Sequence, residues 1–536
     1  MIGPLAVHIR DERWFFSSRD LWKTNCNHCL SLEIAIAKEV PDVLAFVEGY
    51  STDVGSLLPV KQGVEFEKMV LSSLAESLGS DFRELESSEG DQTIGLLKGG
   101  IPVLAQAFLK NEFDGVTWTG YADLLVREDY DLVSKDFKIT AVKVPGSADS
   151  AKYRVWDIKA SSEAKPNYGT QLAGYVYALK ELGLASDRNP GLVLKYDQLP
   201  DFDMDDSLRA FDAQKEKLLA AMKDADGKDL NLDFVSPRAC ESPSKCEGNS
   251  CNYSSLCENV LADAHDLSAI YYMGNSAQKF KDAGIHTYDE LAKLQDTAEV
   301  PGIKPDALAK FMNWAQVKVK EQELGKYFEL KPKTDWIELP APSSSDIFFD
   351  IEWFNPVLSK KSWVFMFGYA NSNEEFRCLD SLSYEDEQLN FRQFVGEMLE
   401  ILGRDSSAHI YHFHTPEPEH LRKLSNAYEE LAEEVEFICS RMVDLRKNVV
   451  SMILPGSNSY SIKDIEKYYD ADGKLHREGL VKGGDQAMLQ FYEALAHREA
   501  ENESEASNLM TIIRDYNKDD CLSTKLLLDW LRELAK

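Results

Sequence analysis

Basic residues, long apolar runs and cysteine are all scarce in this chain. Asp and Glu number 91 against 59 Lys and Arg, for a net charge of -32. Broad affinity for phosphate comes from Lys and Arg neutralisation and counterion release, so the composition argues against a protein that coats nucleic acid through a broad basic surface. An enzyme that works through divalent metal is not, because such sites are themselves rich in carboxylates. No stretch reaches the ~18 apolar residues that a membrane span needs. Residues 1–10 also lack a basic segment leading into an apolar one. The expectation is a soluble, cytoplasmic protein with no membrane partner. Cysteine occurs 9 times in 536 residues, too few for a disulfide framework. Six of the nine fall in two tight groups, Cys26/Cys29 and Cys240/Cys246/Cys251/Cys257, and in a reducing compartment that grouping points to metal.

What is present is ordinary globular material, 44% hydrophobic and 10% aromatic. At ~100–200 residues per domain, the length allows roughly three or four domains, each with its own core. Residues 141–151 read as a hairpin loop inside a first domain that the cysteine group closes near residue 260. Short helices follow over 261–330, and a Pro- and Ser-rich stretch over 331–345 reads as a linker. The last domain spans 346–536.

Two strand-like segments of the first domain carry acids. Gly120 to Val126 holds Asp123, and Arg154 to Lys159 holds Asp157 and Lys159. Residues two apart on a strand share a face, so Asp157 and Lys159 point together. Two carboxylates suit Mg²⁺ or Mn²⁺, which lower the pKa of a bound water, and a lysine beside them stabilises charge on a phosphate. Gln171 and Tyr175 follow at helical spacing, and Glu67 lies upstream as a further metal ligand. The succession Glu67, Asp123, Asp157-x-Lys159, Gln171-x-x-x-Tyr175 resembles the PD-(D/E)xK nucleases of the RecB/AddB type and the CRISPR-associated RecB-like exonucleases. Many of those have His where Glu67 stands. In the same resemblance, one N-terminal cysteine joins three near the domain's end around a [4Fe–4S] cluster. That implies Cys26 with Cys246, Cys251 and Cys257, with Cys29 and Cys240 as alternatives. Zinc is the alternative metal.

In the helical stretch, Gly284-Ile285 and Gly302-Ile303 resemble the turns of helix-hairpin-helix elements, which hold DNA phosphates without reading sequence; a plain helical spacer fits the same turns. The last domain opens on Asp350-Ile351-Glu352, two acids on one strand face, and closes on Tyr516-x-x-x-Asp520. This pairing resembles the DEDD exonucleases of the RNase H-like fold. The resemblance implies Asp350, Glu352 and Asp520 as ligands of two metal ions and Tyr516 as the group that positions water. Glu417 is the choice for the middle acid, and Asp444 competes with it. Ser-rich residues 455–463 are expected to cap a helix near the substrate.

The whole order resembles a family of RecB-like putative nucleases. It implies an α/β multidomain chain: a PD-(D/E)xK restriction-endonuclease-like domain, a small helical hairpin segment and an RNase H-like α/β domain. The function implied is a metal-dependent DNA nuclease, an exonuclease of DNA repair, end processing or defence against foreign DNA, with RNA left open as substrate. No G-x-x-x-x-G-K-[ST] stretch is present, so a helicase partner is a separate chain. One active centre rather than two, or a non-catalytic adaptor for that helicase, remain as alternatives.

Overall fold

A computed structural model describes residues 7–49, 58–85, 90–235, 239–240, 251–295, 297–359, 361–470, 473–475, 477, 481 and 483–536. The chain divides into two compact units. Residues 1–55, 59–260 and 357–360 form the first, and residues 56–58, 261–356 and 361–536 form the second.

The first unit is built on a mixed sheet. Its strands are β1 (His8–Arg10), β2 (Arg13–Phe16), β3 (Phe82–Glu84), β4 (Val103–Phe113), β5 (Val116–Arg127), β8 (Tyr153–Lys159) and β9 (Gly191–Leu194). β6 (Tyr130–Lys135) and β7 (Lys138–Lys143) make a separate ribbon. β4 and β5 form the central hairpin around Asp114 and Gly115, both at positive φ, as a two-residue turn requires. The first half of β5 pairs with β2, and its second half pairs antiparallel with β8 from Leu124↔Trp156 to Arg127↔Tyr153. The helix Pro166–Glu181, opened by proline at its first turn, connects β8 to the parallel strand β9. Its Leu172, Ala173, Ala178 and Leu179 are fully buried in the core on one side of the sheet. Phe66, Val70 and Leu74 of the helix Leu58–Leu78 sit in the core on the other side. The expected hairpin at 141–151 does not form. β7 pairs with β6 and β8 with β5, so the loop connects strands of different sheets. Loop composition marks where a chain turns, not which strand it turns towards.

The second unit carries a five-stranded sheet in the order β13 (Phe376–Asp380), β12 (Trp363–Asn371), β11 (Ile347–Phe354), β14 (Ile410–His412), β15 (Met442–Asp444). The first three are antiparallel, and β14 and β15 run parallel to β11. β11 is buried along most of its length, as a central strand must be, with two acids on one face. Helices Tyr384–Arg404, Pro416–Ala427 and Ala432–Ser440 cover one face. The 33-residue helix Glu503–Ala535 lies on the other with Gly484–Glu499.

The helices Ser276–Asp282, Tyr288–Ala292 and Pro305–Leu324 share a small core in this same unit. Gly284 and Gly302 stand between them at φ of 81° and 77°, the left-handed turn that glycine permits. The stretch 331–345, expected as a linker, instead runs along the unit. β10 (Phe328–Leu330) pairs with β16 (Ile453–Pro455), the Trp336 indole donates to the Lys331 carbonyl, and Ser451 accepts from the Ile337 amide. Pro and Ser favour extended chain, and extended chain docks as readily as it dangles. Among the described residues no helix is long and apolar enough to cross a membrane.

Candidate active site

Asp350 and Glu352 share one face of β11, opposite Gly368 and Met366 of β12. The pairing slips directly after Glu352, the kind of irregularity that re-aims side chains beside active sites. Asp520 arrives from the helix Glu503–Ala535. Ligand oxygens of Asp350, Glu352 and Asp520 all lie within 4.8 Å of one another, the set among the described residues that could hold a metal ion. Burial and then the charge of Asp520 raise Asp350 well above the ordinary carboxylate range, and the same two causes raise Glu352. Such crowding is costly without a cation. Cationic side chains supply part of the relief: Arg477 pairs with Asp520 at 2.6 Å and with Glu466. The Lys463 ammonium donates to the Tyr516 hydroxyl at 3.3 Å, and Tyr516 hydrogen-bonds Asp520 one turn further along the helix. Burial raises the Tyr516 phenol above its usual value, so it stays protonated.

The middle acid sits differently. Glu417 lies in the first turn of the helix Pro416–Ala427, buried, with its carboxylate 3.1 Å from a ring nitrogen of His412. It falls outside the set of three, although its charge acts on both Asp350 and Glu352. Asp444 caps the helix Leu445–Met452 through the Arg446 amide and accepts a second bond from the His414 amide, both at its Oδ1, a structural use of the carboxylate. The expected serine cap is Ser461, which accepts from the Asp464 amide at the start of Ile462–Tyr469.

Arg477 and Asn517 were not singled out in the sequence. Asn517 donates to Asp350 at 2.6 Å and also hydrogen-bonds Glu352. Its place immediately after Tyr516 was a usable signal. Arg477 had none, because its approach depends on a turn far from Asp520 in sequence.

In the first unit, Asp123 of β5 accepts the Ile158 amide of β8 at 2.8 Å, which places it beside Asp157. Lys159 pairs with Asp157 at 2.6 Å. Asp157 is buried, and burial and then Asp123 raise its pKa far above normal. Burial opposes the Lys159 charge, yet Asp157 and Asp123 hold the ammonium protonated, above its ordinary value. The Gln171 amide donates to Asp157 at 3.2 Å, and the Tyr175 hydroxyl donates to the Tyr121 carbonyl. Glu67 is raised by burial and then by the charge of Asp123, so it too faces this site.

Gln106 also belongs here, unforeseen in the sequence. It donates to Glu67 from the middle of β4 at a φ of 54°. The β4–β5 ladder is interrupted at Gln106 and Asp123, between the pairs Ala105↔Leu124 and Ala107↔Ala122. Side-chain alternation flips there: Leu104 and Ala107 share one core, Val103 and Ala105 the other.

The cysteines of the two groups meet in this unit. The Cys26 sulfur accepts the Cys29 amide at 3.4 Å, and Cys257 accepts the Cys240 amide at 3.3 Å. The Cys26 thiol hydrogen-bonds Cys240, while a bond from Cys29 pushes the Cys251 thiol down to about 6. Cys246 lies outside the described residues. No three of the described cysteine sulfurs come within 4.8 Å of one another.

With these geometries in place, comparison with known families decides one region. Residues 347–532 match the RNase_H_2 family model, of the RNase_H superfamily. This match covers the five-stranded sheet and all three clustered carboxylates, so this region is similar to the RNase H superfamily and carries acids that could hold a metal ion. No curated protein and no solved structure matches the chain.

Proposed function

We propose that the chain is a metal-dependent nuclease, with Asp350, Glu352 and Asp520 as its working centre. The observation that carries this reading is the convergence of those carboxylates inside the RNase H-like region. The donor set fits Mg²⁺ or Mn²⁺: hard oxygens, largely buried and mutually repelling, are relieved by a hard divalent cation. Such a cation, once bound, supplies an activated water and neutralises the leaving oxygen. The chain's own residues do the rest. Asn517 fixes Asp350 and Glu352, and Tyr516 orients the water beside Asp520. Lys463 and Arg477 place positive charge where the phosphate must lie.

The finer reading is a DNA exonuclease of repair, end processing or defence, in the cytoplasm, with a separate helicase as partner. It rests on the sequence resemblance. In it the first unit is a PD-(D/E)xK domain with a second potential centre at Glu67, Asp123, Asp157, Lys159, Gln171 and Tyr175. The approach of Asp123, Lys159 and Gln171 to Asp157 supports that centre. The meeting of cysteines from both ends of the unit supports an architectural [4Fe–4S] cluster. A single tetrahedral zinc, with Zn–S bonds of ~2.3 Å, is the alternative metal for the same thiolates.

The test is cleavage of end-labelled DNA with Mg²⁺ or Mn²⁺ by the parent, Asp350→Ala, Asp157→Ala and the double variant. Loss in Asp350→Ala alone assigns the chemistry to the RNase H-like region. Partial loss in each single variant and full loss in the double makes both centres active. Full activity in Asp350→Ala, or no cleavage by the parent, overturns the reading in favour of the first unit alone or of a helicase adaptor.

A further inference from the structure

Beside the carboxylates of the second unit opens a cleft of about 510 Å³. Tyr271, Phe413, His414, Arg446, Tyr460 and Lys463 line it, with Ser459, Ser461 and Ile462 between them, and no acid is among these. Arg446 and Lys463 bring positive charge to this lining, while Asp444 and Asp464 hydrogen-bond its His414, Arg446, Ser459 and Ser461.

One wall is aromatic. Tyr271, from the helical segment, lies 5.4 Å from the ring of Tyr460 and 5.4 Å from Trp314. Outside that lining, Tyr272 rests against Tyr271 with ring centroids 3.9 Å apart and is 79% exposed. Tyr460 and Trp314 are explained as packing within the unit, since Tyr460 is buried and Trp314 meets its ring edge-on. Tyr272 is not, because packing would cover it. The other wall is cationic. Arg446 donates to the Tyr271 hydroxyl at 3.2 Å, which fixes the guanidinium against the aromatic wall. Lys463 closes the far end, 5.0 Å above the ring of Tyr516 and in contact with its hydroxyl. The cleft therefore ends at the group that touches Asp520.

Flat rings at one end, cations along the side and metal-binding carboxylates at the far end match an unpaired strand. Bases stack on aromatic faces only when they are not already stacked in a duplex, and each phosphate needs a cation within reach. We propose that this cleft is a subsite for single-stranded nucleic acid, in which Tyr271 and Tyr272 stack an unpaired base and Arg446 and Lys463 hold the phosphates leading to the carboxylates. The proposal rests on the nuclease reading of the RNase H-like region and names the substrate form that region takes.

The test is fluorescence anisotropy of labelled single-stranded DNA, single-stranded RNA and blunt duplex DNA with the full chain, in EDTA so that nothing is cut. The parent binds at least one single strand more tightly than the duplex. Tyr272→Ala, an exposed position that leaves the fold intact by thermal melt, weakens that binding on the order of tenfold, and Tyr272→Phe restores it. Arg446→Gln weakens it as well and lowers the slope of log affinity against log salt by about one. Duplex bound as tightly as either single strand, or single strands bound by Tyr272→Ala and Arg446→Gln as by the parent, overturns the subsite. Because binding is read without metal, a parent that binds single strands but cuts nothing when Mn²⁺ is added sinks the nuclease reading alone. A parent that cuts, with affinity unchanged in both variants, sinks the subsite alone.

Discussion

Asn517 reaches Asp350, 2.6 Å away, through a space that only glycine leaves open. Gly368 stands opposite Asp350 on β12, and a Cβ there would overlap the Asn517 amide oxygen. The same close approach lets the Cys521 thiol donate to the Gly368 carbonyl at 3.3 Å.

Gly368→Ala is therefore expected to push the helix Glu503–Ala535 off β12 and release Asp350 from Asn517. Overpacking of this kind costs typically ~1–3 kcal/mol. Thermal melts with and without Mn²⁺ check it: the variant melts lower, and its gain from Mn²⁺ shrinks relative to the parent. Asn517→Ala, which removes the overlap, is expected to restore part of the lost stability in the double variant while leaving the metal response weak. A double variant no more stable than Gly368→Ala would place the strain elsewhere.

The raised pKa values of Asp350 and Glu352 set a pH dependence. Each folded-state pKa lies above its unfolded value, so between the two the folded chain binds more protons. This contribution to stability is fully present below about pH 4, the unfolded carboxylate range, and is lost as pH rises through the folded values. Metal-free protein is expected to lose melting temperature over that rise, and Mg²⁺ to give back more at higher pH because binding displaces protons. Asp350→Asn should flatten the slope. A slope identical to the parent's would show that these acids do not govern it.

At Gln106 two substitutions separate backbone from side chain. Gln106→Val places a β-branched residue at positive φ and is expected to cost about 1–2 kcal/mol or more. Gln106→Gly keeps the backbone but removes the amide that holds Glu67. If the first unit has a working centre, Gln106→Gly lowers its cleavage rate without lowering the melting temperature. Equal melting of both variants would show that the ladder break is not strained.

The thiols make a spectroscopic prediction. Protein isolated without oxygen is expected to be brown, with visible thiolate-to-iron absorbance and iron in stoichiometric amount, and Cys257→Ser is expected to lose the colour. Colourless protein with one zinc per chain would replace the cluster with the alternative metal.

Local spacing made the second unit's acids legible. Asp350 and Glu352 share a face because residues two apart on any strand do, and Tyr516 and Asp520 meet because a helix brings residues four apart together. The strands at Gly120 to Val126 and Arg154 to Lys159 were visible for the same reason. Glu417 was harder: its sequence neighbours place it on a turn, but only the chain around His412 decides that its carboxylate meets an imidazole instead of joining the set of three.

Period and spacing in the sequence thus determined which residues share a face, because those depend on two or three torsions repeated locally. Tertiary structure alone decided the rest. It chose β6 and β5, not each other, as partners of the strands flanking residues 141–151. It turned Gln106 into the left-handed region and so reversed alternation where β4 faces Asp123. It brought Arg477 to Asp520 and Asn517 to Asp350. Each of these is a contact between segments distant in sequence. Its free energy depends on which surfaces remain uncovered once the rest of the chain has packed, and no local pattern of residues encodes that.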